Sequence, residues 1–210
     1  MKKANHKGGP TNLPSNPLLI VLSGPSGAGK DAVLSRMKKT GYPLEFITTV
    51  TTRPRRAEEK NNVDYHFVSV EGFQKMLKAG ELVEWANVYG NWYGVPKEPL
   101  KRALAGGRDT IVKVDIQGAA TIKKIIPQAV FIFLAPPSMG ELKRRLTQRR
   151  TELPFDLSRR LKTAEEEMKQ LPLFDYVVVN RQDAVERVVS EIEAIITAEK
   201  QRLKPREISL

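Results

Sequence analysis

The chain has 210 residues, 40% hydrophobic and 28% charged, which is enough for one well-buried core or a core carrying a small inserted lobe. The absence of cysteine excludes disulfides and thiolate metal sites, and no apolar run reaches membrane-spanning length. The net charge of +11 invites a nucleic-acid partner, but the basic residues gather in 1–16, 53–60, 143–162 and 200–210 and leave the remainder slightly acidic. The first and last of these clusters are terminal, where charge is solvated. The inner two flank stretches that handle phosphates on the reading below.

Residues 1–16 are rich in Gly, Pro, Asn and Lys without periodicity, so they read as a disordered basic tail. They carry no apolar h-region with a cleavage site, and the cytoplasm is the expected compartment. The apolar run 18–22 has the composition of a buried parallel strand, and the spacing of Val33, Leu34 and Met37 predicts a helix ending near Gly41. Between them lies Gly24-Pro25-Ser26-Gly27-Ala28-Gly29-Lys30-Asp31. A G-x-x-x-x-G-K sequence joining a strand to a helix is a phosphate-binding loop: its backbone N–H groups converge on phosphate oxygens and Lys30 adds a mobile cation.

A β-branched strand over 45–52 follows and runs into the basic turn Arg53-Pro54-Arg55-Arg56. Short strands over 64–70, 82–88 and 91–95, with a small helix over 71–79, read as a compact lobe spanning 48–96. The frame then resumes with helices over 97–105, 117–126, 139–150, 157–170 and 184–199, and strands over 110–114, 130–134 and 176–179. Leu153-Pro154 separates the third and fourth of these helices. Strands alternating with helices predict an α/β domain over 17–200: a parallel sheet with helices on both faces, formed by 17–47 and 97–200, plus the inserted lobe. Residues 201–210 read as a second basic tail.

The lobe carries side chains suited to a phosphate monoester. Arg53 and Arg56 offer planar, permanently charged forks, and Tyr65 and Tyr93 offer phenolic donors. The ordered series TTR-x-x-R, DY, EW, YG, D-x-QG and APP, set between the loop at Gly24 and the last helix, resembles the guanylate kinase family over most of the chain. That resemblance implies a P-loop kinase fold and the reaction of ATP with GMP, and with dGMP, to give ADP and a guanosine diphosphate. It implies that Glu84, of the EW pair, accepts the N1–H and N2–H₂ donors that distinguish guanine, with Thr49 and Asp115 also at the base. Arg145, Arg149 and Arg160 would reach over the ATP phosphates from a lid at about 145–160, and Asn180 would lie near adenine. Arg144, Arg150 and Arg159 read as surface charge.

Three positions depart from the family pattern. Asp31 stands where the loop normally has a hydroxyl, Lys113 stands where an acid is usual, and Val95 replaces a hydroxyl residue of the monophosphate pocket. The first two positions fall at the start of the loop helix and at the C-terminal end of a neighbouring strand, which brings them side by side. Either Asp31 binds Mg²⁺ directly, or Asp31 and Lys113 pair and Mg²⁺ is held mainly by ATP and water. The expected partners are the two nucleotides, with no nucleic acid or membrane, and the expected assembly is a monomer or homodimer. The rival reading is a weakened kinase-like module that binds acidic or phosphorylated peptides.

Overall fold

The computed structural model describes residues 16–148 and 154–210. Its central sheet is parallel, with strands in the order β2-β7-β1-β8-β9. These are β1 (Leu19–Ser23), β2 (Glu45–Ile47), β7 (Thr110–Lys113), β8 (Val130–Ala135) and β9 (Tyr176–Val179). Strand alternation explains why β1 has no polar face. Ile20 and Leu22 pack with Val33 and Met37 of α1 (Lys30–Thr40) and with Val188, Ile192 and Ile196 of α7 (Val185–Lys200). Leu19 and Val21 point the other way, onto Leu100 of α3 (Lys97–Ala105) and Ile122 of α4 (Ile116–Ile125). A strand covered by helices on both faces reads as an unbroken apolar run for this reason.

The second sheet has the order β4-β3-β6-β5, formed by β3 (Val50–Thr51), β4 (His66–Phe67), β5 (Leu82–Val88) and β6 (Asn91–Pro96). The strand expected over 45–52 is therefore two strands. β2 pairs with β7 in the central sheet, β3 pairs with β4 and β6 in the second, and the chain changes sheet at Thr48-Thr49. Composition could not show this, because both halves are strand and only the partner differs. Of the stretch 64–70, only His66 and Phe67 join a ladder. The lobe has its own small core, where Phe73 of α2 (Val70–Lys78) stacks on Trp92 with ring centroids 6.0 Å apart.

Helices α5 (Met139–Gln148) and α6 (Pro154–Met168) pack through Leu142, Leu146 and Ala164. Helix α6 begins at Pro154, earlier than the expected 157, because proline at a first helical position gives up no hydrogen bond. The C-terminal segment is not a free tail. Arg206 forks onto Glu199 at 2.8 and 3.0 Å, and Glu199 also accepts from the Tyr176 hydroxyl at 2.6 Å. A carboxylate buried to this depth needs such partners, and they outweigh the tendency of a basic end to stay in solvent. Among the described residues no helix is long and apolar enough to cross a membrane.

Candidate active site

The phosphate loop leaves the C-terminal end of β1 and enters α1, so the helix N-terminus and the loop amides face one cleft. Gly29 caps α1 in the left-handed region, at φ 101°, and lies against the Asn180 amide so closely that a Cβ would overlap it. Asn180 in turn donates to the Ala28 carbonyl at 2.7 Å. Lys30 folds back to donate to the carbonyls of Gly24 and Pro25, the latter at 3.2 Å. Burial holds its ammonium below the usual lysine range, partly offset by Glu167 and Asp31.

The same cleft is lined from the loop by Gly24, Ser26, Gly27, Gly29, Lys30 and Asp31. From the lobe it is lined by Thr49, Arg53, Arg56, Tyr65, Glu84 and Tyr93, and from elsewhere by Asp115 and Arg160. Most of the residues singled out in the sequence thus meet at one place. Pro25, Ala28, Arg145 and Asn180 support the loop without lining the cleft. Arg145 bonds to Glu141 at 2.8 Å and to the Asn180 carbonyl at 2.8 Å, bracing α5 against the loop. Arg144 forks onto the same Glu141, whose carboxyl the two arginines hold down to about 2. Arg149 and Arg150 lie outside the described residues. Val95 does not line the cleft: it is fully buried in the core beside Val21 and Val112, so the position where a hydroxyl is usual is here a packed apolar contact.

The basic turn is ordered by Glu59, whose carboxylate accepts from both ends of the Arg53 guanidinium at 2.7 and 3.1 Å and from the Arg56 amide at 2.8 Å. Arg53 also sits over the Tyr65 ring, 5.5 Å from its centroid, and Tyr65 meets Tyr93 edge-on at 6.0 Å. Two arginines and two phenols are therefore gathered on one wall.

Glu84 defines another part of the cleft. It is 3% exposed, and its Oε2 has no hydrogen-bond partner among the described residues. Burial, with the nearby Asp115 charge, pushes its carboxyl up to about 8. Asp115 caps α4 by accepting from the Gly118 amide at 2.8 Å. Gly118 makes room for Glu84: a Cβ there would stand 2.7 Å from Glu84 Oε2.

Glu167, Tyr89 and Glu59 were not found from the sequence. Glu167 lies two helical turns beyond Arg160 on α6 and lines the cleft beside the phosphate loop, with burial raising its carboxyl to about 7. The seven-residue spacing from Arg160 was the available signal. Tyr89, at φ 51° in the β5–β6 turn, receives the guanidinium groups of Arg159 and Arg160 at 5.6 and 5.4 Å from its ring centroid. Arg159 is thus a contact between α6 and the lobe, where surface charge was expected. At the joint of the two sheets, the Lys113 ammonium lies 2.5 Å from Asp31 Oδ1 and 3.9 Å from the Tyr65 ring centroid.

The sequence profile of the guanylate kinase family matches residues 16–199. The chain is 42% identical over 202 residues to a protein of Oryza sativa subsp. japonica named guanylate kinase 2, chloroplastic/mitochondrial, covering 96% of this chain and 71% of that protein. It is 41% identical to the guanylate kinase of Carboxydothermus hydrogenoformans, with 91% and 92% of the two chains covered. The crystal structure of guanylate kinase from Anaplasma phagocytophilum superposes with a TM-score of 0.76 at 34% identity, over 91% of this chain and 90% of that one. With the phosphate loop, the paired arginines and phenols and the buried Glu84 converging on one cleft, these matches establish that the chain belongs to the guanylate kinase family.

Proposed function

We propose that this protein transfers the terminal phosphoryl group of ATP to GMP, and to dGMP, acting on free nucleotides in the cytoplasm as a monomer or homodimer. The observation that carries the reading is the buried Glu84 Oε2, which has no hydrogen-bond partner among the described residues, in the same cleft as the phosphate loop and the arginine–tyrosine wall. Guanine presents N1–H and N2–H₂ side by side, and an ionised carboxylate can accept both. Thr49 and Asp115 line the cleft and complete the base-reading set. Arg53, Arg56, Tyr65 and Tyr93 hold the GMP phosphate, with Arg53 kept in orientation by Glu59.

The loop amides and Lys30 bind the ATP phosphates, and the raised Glu167 carboxyl beside Lys30 spares them a full opposing charge. Arg160 lies between the two substrate walls, where it balances negative charge on the group in transfer. Arg145 holds the loop in shape, and Arg149 is assigned to the same lid by resemblance. The GMP phosphate is already ionised at neutral pH, so its oxygen attacks without a general base, and positioning and electrostatics carry the catalysis.

Phosphoryl transfer from ATP in this family calls for Mg²⁺, and the donor set decides how it is held. Among the described residues there is no cluster of three or more acidic or imidazole side chains able to hold a metal. The only loop-helix carboxylate at hand, Asp31, is engaged by Lys113 at 2.5 Å. The residues fit an ion that arrives on ATP with most of its water, which suits the reluctance of Mg²⁺ to dehydrate. Bound there, Mg²⁺ would neutralise charge on the ATP oxygens.

A coupled assay offering GMP, AMP, CMP and UMP with ATP tests the function. GMP turnover is expected to exceed that of the others by about 10⁴-fold, since a site built on buried hydrogen bonds rejects bases that leave them unmade. Comparable AMP turnover would overturn the guanine assignment.

Gly118→Ala crowds the Glu84 carboxyl first and, less closely, the Asp115 carboxyl that caps the helix. Alanine is the better helix former by about 1 kcal/mol, so thermal stability should not fall through the helix itself. The added Cβ displaces the Glu84 carboxyl, and misplacement of about 1 Å costs on the order of 10²-fold. The expected result is a 10- to 100-fold rise in KM for GMP with KM for ATP little changed; an unchanged GMP KM would mean that the carboxyl position is unimportant.

A further inference from the structure

Lys113 is not part of the nucleotide-reading set assembled above, yet its ammonium occupies a junction within the cleft. It ends β7, its side chain is 12% exposed, and it meets Asp31 in the first turn of α1 on one side and the face of Tyr65 on the other. Asp31 and Lys113 belong to the central sheet and its loop helix, whereas Tyr65 belongs to the lobe, next to the two-residue strand β4. The backbone near Tyr65 is held by a bridge to Asn61, the short β3–β4 ladder and the Phe67 amide donating to Asn61 Oδ1 at 2.9 Å, and the ring meets Phe67, Tyr93 and Arg53 within the lobe. A ring beside a two-residue strand takes its position from side-chain contacts, and Lys113 supplies the one from the central sheet. A desolvated ammonium over an aromatic face is one of the stronger contacts of that kind.

We propose that Lys113, held by Asp31, is a positioning residue for the acceptor nucleotide: it fixes the Tyr65 ring from the core side and so sets the phenol at the GMP phosphate. The inference rests on the reading of Tyr65 as a phosphate donor. It makes the loop helix of the ATP side a support for the GMP side through a chain of direct contacts, Asp31 to Lys113 to Tyr65. A second way for Lys113 to matter would be simple attraction of its charge for the GMP phosphate. The two differ in sign at Asp31. If charge alone acts, removing the carboxylate leaves a more positive cleft and GMP binds more tightly. If position acts, removing it releases the ammonium, loosens Tyr65 and weakens GMP.

Calorimetric titration of GMP into the full chain, without ATP or Mg²⁺, separates these cases. Asp31→Asn and Lys113→Met should each raise the GMP Kd about tenfold, in keeping with loss of a desolvated cation–ring contact. Lys113→Met should add less than twofold in a Tyr65→Leu background, because its effect runs through the ring. The side chain of Asp31 is 59% exposed, so Asp31→Asn is safe for folding even if Lys113→Met lowers the melting temperature. Tighter GMP binding by Asp31→Asn, an unchanged Kd in both single variants, or full additivity of Lys113→Met with Tyr65→Leu would overturn the inference. A parent protein that does not bind GMP would overturn the reading of the site, and this inference with it. A parent that binds GMP as tightly as both single variants overturns this inference alone.

Discussion

Glu84→Ala is expected to lower kcat/KM for GMP by about 10³-fold, since the truncation leaves two guanine donors unpaired in a buried pocket. Glu84→Gln should be nearly as damaging, because its amide presents a donor where guanine also presents donors. Both variants should retain the parent's melting temperature or exceed it near pH 8, because they remove a buried carboxyl that already resists ionisation. GMP turnover within tenfold of the parent in either variant would remove Glu84 from base recognition. The same residue makes GMP binding pH-dependent. The free carboxyl titrates at about 8, while the bound form must be ionised to accept both guanine donors. Below pH 8 binding therefore releases a proton, and Kd should rise by up to about tenfold per pH unit as the pH falls.

For folding the sign is opposite. Glu84 ordinarily titrates near 4.5 and in the folded protein at about 8, so between those values the folded state holds more protons than the unfolded one. Stability without ligand is then greatest below 4.5 and is lost as the pH rises towards 8. Glu167, raised to about 7, acts in the same direction over a narrower range. Melting curves with and without GMP should diverge as the pH rises. Parallel curves, or GMP heats independent of buffer ionisation enthalpy, would show that Glu84 is already ionised in the free protein.

Lys30→Met is expected to lower kcat by about 10²–10³-fold, the usual cost of removing one charged group directed at developing negative charge. Thermal stability should change little. The ammonium is buried, its charge is disfavoured there, and its protein partners are the Gly24 and Pro25 carbonyls together with more distant acids. Methionine fills a similar volume without the desolvation cost. GMP affinity measured without ATP should stay near that of the parent, since the arginine–tyrosine wall and Glu84 are untouched. A kcat within tenfold of the parent would show that the loop amides and arginines carry the phosphate charge without Lys30. A collapse in melting temperature would instead make Lys30 a structural strut of the loop.

Local patterning was enough for the framework of this protein. The apolar run ahead of Gly24, the glycine spacing up to Lys30 and the strand–helix alternation each act over a few residues, so they are legible in sequence and predicted the parallel sheet and its phosphate loop. The grouping of Arg53, Arg56, Tyr65, Glu84 and Tyr93 was legible as motifs, and the fold brings them into one cleft. Other features depended on contacts between distant segments. Thr48-Thr49 changes sheets because β2 and β3 find different partners, which no property of the strand itself encodes. Val95 is buried although Glu84, its partner on the same face of the β5–β6 ladder, lines the cleft, because the core around Val21 and Val112 closes over it. Glu59 and Glu167 look like ordinary surface acids until the turn brings the first to Arg53 and α6 brings the second into the cleft beside the phosphate loop. The exchange of Asp31 and Lys113 was visible as two departures 82 positions apart. Only packing placed the Tyr65 ring against the ammonium, because a side chain's electrostatic surroundings are set by whatever the whole chain folds around it.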